Sequence, residues 1–272
     1  MSDHTRRFCG RKVLMATPPN NASWQSIGKI LDEAMLDFAD NSAQINDLYW
    51  FYRGDQPVLN RQKTVREEIN NKVVENRAFE VVEFKKGYEF SHPLQYTNAS
   101  TKNDAVPLDI LNTYARLDAK ESKDLELAEW RYIAGTSYRL ALPWPKEYDP
   151  NEDDAPYFTE SLDPRSTFVI YSADVGHRPI CSGTYAKEKV DGQERYRVGV
   201  CTDTQYFEWV LPGLSGGFST TTPTTGSNGI GRNPIVEYPL NASRLGYVEL
   251  CYHLYNAVNT LDSNRTDAPQ LS

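Results

Sequence analysis

The residues of this chain with chemical reach are few and scattered. Ser215 lies in Gly213-Leu214-Ser215-Gly216-Gly217, which fits the bare Gly-x-Ser-x-Gly spacing of a serine nucleophile. That chemistry needs a strand-to-helix elbow that lifts the hydroxyl clear of the sheet. The stretch around Ser215 is a Thr-rich loop, so the match reads as chance. Gly226-Ser227-Asn228-Gly229-Ile230-Gly231-Arg232 is glycine-rich, but no Gly-Lys-Ser/Thr follows it and it precedes a strand-like run, whereas a phosphate cradle opens a helix. His4, His92, His177 and His253 stand outside ligand spacing of one another and of any cysteine. Glu152-Asp153-Asp154, with Glu147 and Asp149 upstream, could attract a divalent ion but lacks the alternation and glycine of a calcium loop. Arg53-Gly54-Asp55 spells a cell-adhesion tripeptide. It reads equally as a tight turn, with glycine allowing positive φ and aspartate bonding back to the backbone. These observations predict no catalytic residue, no cofactor and no metal. They leave two rivals: a hydrolase using Ser215 or the acidic loop, and an adhesion module displaying Arg53-Gly54-Asp55.

Composition narrows the classes further. The 272 residues suffice for one large domain or two small ones. Hydrophobic residues are 39% of the chain, below the roughly 45–50% apolar share of ordinary domains, so much of the surface must be polar. The net charge of −8 gives no global sign of the Lys/Arg patch that tight nucleic-acid binding requires. An acidic wall beside DNA would repel phosphates and let the polymer slide. Cys9, Cys181, Cys201 and Cys251 form no C-x-x-C pair, which speaks against zinc and for reduced thiols in a cytosolic protein. The Asn21, Asn98, Asn241 and Asn264 sequons carry no meaning in that compartment. No run approaches ~20 apolar residues, and no signal-type apolar region follows the basic start.

The elements that would position these groups follow from periodicity. Residues 1–23 read as a disordered leader. Ser23 caps a helix running to about Asp40, with Ile27, Ile30, Leu31, Ala34, Met35 and Phe38 at helical spacing. The run from Leu48 combines an aromatic strip, the charged turn, a Pro-led extended piece and a helix start. A polar helix is predicted from Arg66 to about Gly87, a short strand at Gln95-Tyr96-Thr97, a helix opened by Pro107 to about Leu117, and another from about Ser122 to Ala134, stopped by Gly135. Strands are then predicted at Tyr138–Leu142, Tyr157–Leu162, Ser166–Ser172, Ile180–Ala186, Glu194–Cys201 and Gln205–Leu211. The turn signal Asp191-Gly192 makes this an antiparallel meander. Residues 212–234 read as a flexible Gly/Ser/Thr loop. A last strand spans Ile235 to Pro239. A final helix spans Leu245 to about Asn264 with Leu250, Leu254, Val258 and Leu261 on one face.

The order and spacing of four blocks resemble the tailed-phage portal proteins of the SPP1 type. The first block is Tyr49 to Tyr88, with Tyr52-Arg53-Gly54-Asp55-Gln56-Pro57 and Asn70-Asn71-Lys72. The second runs from Leu127 to Tyr138. The third is Leu162-Asp163-Pro164-Arg165-Ser166 to Tyr171, followed by Gly176-His177-Arg178-Pro179. The fourth is Asn233 to Pro239, with Leu245-Gly246 and Asn264-Arg265. The resemblance implies an α+β fold: a portal wing-like domain over 24–240, helices plus an antiparallel meander. From 241 to 272 it implies the start of a stem helix, ending before clip and crown, because family members continue past Asn264-Arg265. It implies a structural subunit of a ring of typically a dozen copies, at the capsid vertex of a virion assembled in the bacterial cytoplasm. Through that ring double-stranded DNA is packaged and ejected without being gripped. The implied partners are other copies, the terminase large subunit that itself hydrolyses ATP, the head–tail adaptor, scaffolding protein and the major capsid protein. A non-functional prophage remnant is a further alternative. Tyr52, Arg53, Gly54, Asp55, Gln56, Pro57, Asn70, Asn71, Asp163, Pro164, Arg165, Asn264 and Arg265 are implied as structural or assembly positions.

Overall fold

The computed structural model describes residues 10–64, 67–97, 108–143, 155–190 and 192–268. Its spine is α1 (Trp24–Tyr52), 29 residues long, or about 43 Å at ~1.5 Å per residue. Ser23 caps it, its Oγ accepting from the Ser26 amide at 3.3 Å. The helix runs well beyond Asp40, where the sequence suggested an end. The polar Asp40-Asn41-Ser42 contains no breaker, and the apolar stripe resumes at Ile45, Leu48 and Phe51. Gly54, at φ +96°, stops it: the Arg53 and Asp55 amides donate back to the Tyr49 and Trp50 carbonyls, each at 2.9 Å. A 3-10 turn, Pro57–Asn60, follows.

Among the described residues, nine strands form two sheets. They are β1 (Leu14–Ala16), β2 (Thr136–Pro143), β3 (Tyr157–Leu162), β4 (Thr167–Ser172), β5 (Pro179–Val190), β6 (Gln193–Cys201), β7 (Gln205–Leu211), β8 (Thr224–Ser227) and β9 (Ile235–Pro239). The larger sheet has the order β1-β4-β5-β6-β7-β8 and the smaller β3-β2-β9. Strands β4 to β7 form as the predicted meander, and β8, from the stretch read as a loop, extends it; the β5–β6 hairpin closes at Val190↔Gln193, with Gly192 at φ +78°. The meander excludes β2, β3 and β9, which pair among themselves.

The N-terminal half of α1 lies on the larger sheet. Leu31, Met35 and Phe38 meet Phe168, Ile170, Val198, Val200, Phe207 and Trp209 in one core. Its C-terminal half enters a second core, where Leu48, Phe51 and Tyr52 meet helices α2 (Arg77–Glu89), α4 (Lys120–Ala134), α5 (Tyr247–Leu250) and α6 (Tyr252–Asp267). Helix α3 (Leu108–Leu117) packs on α4. One helix therefore belongs to both cores. This is an α+β architecture ending in a helix.

Several expectations need correction. From residue 10 the supposed disordered leader 1–23 is built into the fold: β1 pairs in parallel with β4, Leu14 is buried, and the buried Arg11 meets Glu249 at 2.6 Å. No local pattern reveals this, because the partners lie more than 150 residues away. The supposed loop 212–234 buries Phe218 completely and contributes β8. The Trp209 indole N–H donates to the Phe218 and Thr221 carbonyls at 3.1 and 2.9 Å, and Asp32 accepts from the Phe218 and Ser219 amides. A Cβ on Gly28 would lie 2.5 Å from the Phe218 carbonyl oxygen, so this segment touches α1 directly. The strand at Gln95-Tyr96-Thr97 does not form. The Asn112 side chain of α3 takes both backbone groups of Tyr96, at 2.9 and 3.1 Å, in place of a neighbouring strand. The helix expected from Arg66 begins only at Arg77; residues 69–76 form neither helix nor strand. The final helix breaks at Cys251, and its leucines face out: Leu250, Leu254 and Leu261 are 57%, 62% and 67% exposed.

Candidate functional site

What α6 buries instead of leucine is polar. Asn259, Ser263 and Asp267 recur every fourth residue on its inner face and are buried. Against them runs the extended strap 69–76. The Glu75 amide donates to Asn259 Oδ1 at 2.9 Å, the Val73 amide to Ser263 Oγ at 3.0 Å, and the Asn71 amide to Asp267 Oδ1 at 2.8 Å. The match is geometric. Two residues of extended chain advance roughly 6.6 Å, and four residues of helix advance about 6.0 Å. A polar stripe at that spacing can therefore serve alternate amides of an antiparallel strap. This also explains why the strap is not helical: its amides are spent on side chains.

Gln56, Asn70, Asn71 and Asn264 converge on this seam. Buried Gln56 donates to the Phe51 carbonyl and to Asn76 Oδ1, at 3.2 and 3.0 Å, and accepts from Asn259 Nδ2. Asn76 caps α2 and also donates to the Tyr52 carbonyl at 2.8 Å. One glutamine thus ties the end of α1, the start of α2 and the middle of α6. Asn70 donates to the Arg61 carbonyl at 3.1 Å, and the Arg61 guanidinium donates to Asn264 Oδ1. Lys63 pairs with Asp267, and Asn71 donates to it through both amides. Hydrogen bonds from Lys63 and Asn71 hold the Asp267 carboxyl below its usual range. Tyr52 stacks on Phe79 at 5.4 Å and donates to Glu83 at 2.9 Å. Pro57 opens the 3-10 turn. Arg53 and Asp55 are exposed on the turn, whose shape comes from backbone bonds and Gly54. Arg265 is exposed on α6.

The second junction is built on Asp163-Pro164-Arg165. Asp163 accepts from the Arg165 amide at 2.8 Å and from its guanidinium at 2.6 to 3.0 Å, while Pro164 is buried in the turn. The guanidinium lies 4.3 Å from the Tyr49 ring centroid and 5.3 Å from that of Trp130, and those rings stack at 5.2 Å. The Arg165 carbonyl accepts from Ser42 and Tyr185. The turn thereby fastens the larger sheet to α1 and α4.

A third junction was missed by sequence reading. Glu237 of β9 accepts from Arg244 at 2.6 and 2.8 Å, from Thr136 at 2.7 Å and from Tyr171 at 2.8 Å. Burial opposes its charge, but these four bonds and the Arg244 charge hold its carboxyl below the usual range. The only local signal was a Glu within a strand seven residues before an Arg. For α6 the signal was clearer: Asn259, Ser263 and Asp267 at helical spacing, overlooked beside the leucines.

The residues with possible chemistry are not brought together. Ser215 is exposed in a turn, and His177 sits at φ +41° with Nδ1 3.2 Å from the Ser172 carbonyl. Asn228 bridges the Thr202 and Arg232 carbonyls, each at 2.7 Å, which makes the glycine loop a self-bonded turn into β9. Burial pushes the Cys181 thiol up to about 12 and the Cys201 thiol to about 11. Among the described residues no group of three His, Cys, Asp or Glu is arranged for a metal. None of the described helices is long and apolar enough to cross a membrane. Glu147, Asp149, Glu152, Asp153 and Asp154, with His4, Cys9, Asn98, Pro107 and Asp191, lie outside the described residues. What the described site can do is hold helices at fixed angles.

No curated protein matches the chain. A family model described as phage portal protein, SPP1 Gp6-like, matches residues 37–268, a span that contains all three junctions.

Proposed function

The chain belongs to the SPP1 Gp6-like phage portal protein family, and from that premise we propose that it is a ring-forming subunit through which double-stranded DNA enters and leaves a capsid. The family's role is structural, and it places the protein in the virion capsid. The observation that carries the reading is the family match over 37–268, covering the strap, the second core and the sheet side of the first. In this reading residues 24–240 serve as the wing-like domain, and 241–272 begin a stem helix. Gln56, Asn70-Asn71 and Asn264 orient α6 as it leaves the domain, while Asp163-Pro164-Arg165 sets the sheet against α1. The chain is not a catalyst; ATP hydrolysis belongs to the terminase large subunit that docks on the ring. Head–tail adaptor, scaffolding and major capsid proteins are the other proposed partners. The net charge of −8 favours a channel that DNA slides through.

Native mass spectrometry and negative-stain microscopy of the purified chain test the ring, with closed assemblies of about a dozen copies as the expected result. A duplex-DNA binding titration tests the channel. Nanomolar retention of DNA at physiological salt would refute the sliding reading, since it requires a basic patch.

A further inference from the structure

Two helical faces of the chain are apolar and uncovered. On α2, Phe84 and Tyr88 are 68% and 75% exposed and stack on each other at 6.4 Å. On α6, Leu254 and Leu261 are 62% and 67% exposed, with exposed Ala257 between them. Neither face serves the core, because α2 turns Ala78 and Val82 inward and α6 turns Tyr255 inward, all into the same cluster. Both outer faces therefore look away from it. Each also carries an exposed charge a turn beyond its apolar residues: Glu80, whose carboxylate also pairs with Arg77 of its own helix at 2.6 Å and keeps a second oxygen for a partner, before Phe84, and Arg265 after Leu261.

The spacings match when the helices run antiparallel. Glu80, Phe84 and Tyr88 step by four; Arg265, Leu261 and Ala257 step by four in the opposite direction. Laid together over about 12 Å of helix, Glu80 meets Arg265, Phe84 meets Leu261, and the Tyr88 ring covers the small Ala257. Charge is complementary at the first position and size at the third, and the second sets two apolar side chains against each other.

We propose that the α6 face of one copy docks antiparallel on the α2 face of the next copy. The inference rests on the portal reading, because it names the surfaces that join subunits. The two patches differ, so the contact is heterologous: it passes from copy to copy and closes into a ring if the rotation allows. The area is also small beside the ~800 Å² per partner of a standard interface. A free pair is therefore weak, and a closed ring, which holds every copy on two sides, is the assembly in which such a contact persists.

The test uses two full-chain variants, Leu254→Glu/Leu261→Glu and Phe84→Glu/Tyr88→Glu. Each is checked for a cooperative melt and examined by native mass spectrometry alone and as an equimolar mixture. The unsubstituted chain is expected to assemble, each variant alone to be monomeric, and the mixture to give nothing larger than a pair, since only one intact α6 face meets one intact α2 face and no ring can close. The charge reversals Glu80→Arg and Arg265→Glu leave the apolar contacts in place. Each should weaken assembly about two- to fivefold and the combination should restore it. If the unsubstituted chain assembles and either double variant still does, or if the mixture closes into rings, this contact is overturned while the ring stands. A monomeric unsubstituted chain overturns both.

Discussion

Replacing Asn259 by Ala tests the polar seam where it is most buried. Asn259 is fully buried and serves two partners, accepting from the Glu75 amide and donating to Gln56 Oε1. Its loss strands the Gln56 carbonyl oxygen, whose residue is 1% exposed, at a cost of about 1–3 kcal/mol. The Glu75 amide is only partly buried and can recruit water, which adds about 0–1 kcal/mol. The expected total is about 1–4 kcal/mol, or a melting temperature lower by about 2–16 °C for a domain near this size. Urea denaturation measures the loss. Hydrogen exchange should show the Glu75 and Val73 amides losing protection first, while amides of β5 and β6 keep theirs. The accompanying Gln56→Ala and double variants form a cycle with an expected coupling of about 1–2 kcal/mol. A single-variant loss below about 0.5 kcal/mol, or a coupling near zero, would refute the claim that this pair fastens α6.

Arg165→Lys should lower stability by about 1–2 kcal/mol, because lysine cannot chelate Asp163 and lie against the stacked Tyr49 and Trp130 rings together; chemical denaturation and near-ultraviolet circular dichroism report it. The Glu237 carboxyl titrates below its ordinary range when folded. The stability it confers is therefore complete above about pH 4.3, the usual glutamate value, and is lost as the pH falls through the lower folded value. Urea melts between neutral and acid pH should show that loss, and Glu237→Gln should flatten it. Trp209→Phe removes both indole bonds to the 218–221 segment and should cost about 2–4 kcal/mol by denaturant titration. Cys181, buried with its thiol pushed up to about 12, should resist thiol reagents in the native protein and react once unfolded.

Where residues are periodic and their partners near in sequence, the amino-acid pattern alone was enough. The strands Tyr157–Leu162, Gln205–Leu211 and Ile235–Pro239 form over the residues expected, and Gly135 ends α4 with φ +78°. The α+β class and the portal resemblance were legible for the same reason, since alternation, helical spacing and ordered short motifs are written along the chain. The pairing of Gln56 with Asn259, of Arg11 with Glu249 and of Arg165 with Tyr49 and Trp130 was not, because each joins residues far apart in the chain.

The orientation of α6 shows the division most clearly. Sequence specifies a helix with a leucine stripe and a polar stripe, and hydrophobicity by itself would bury the leucines. Tertiary structure reverses that choice, because the neighbour is an extended strap whose amides need acceptors every ~6.6 Å. Only the polar stripe supplies them, and Asn259, Ser263 and Asp267 would themselves be buried without partners if they faced any other neighbour. Local pattern thus marked the strongly periodic helices and strands, though not β1 or β8, and the hydrogen bonds of a distant segment decided which face of the last helix turns inward.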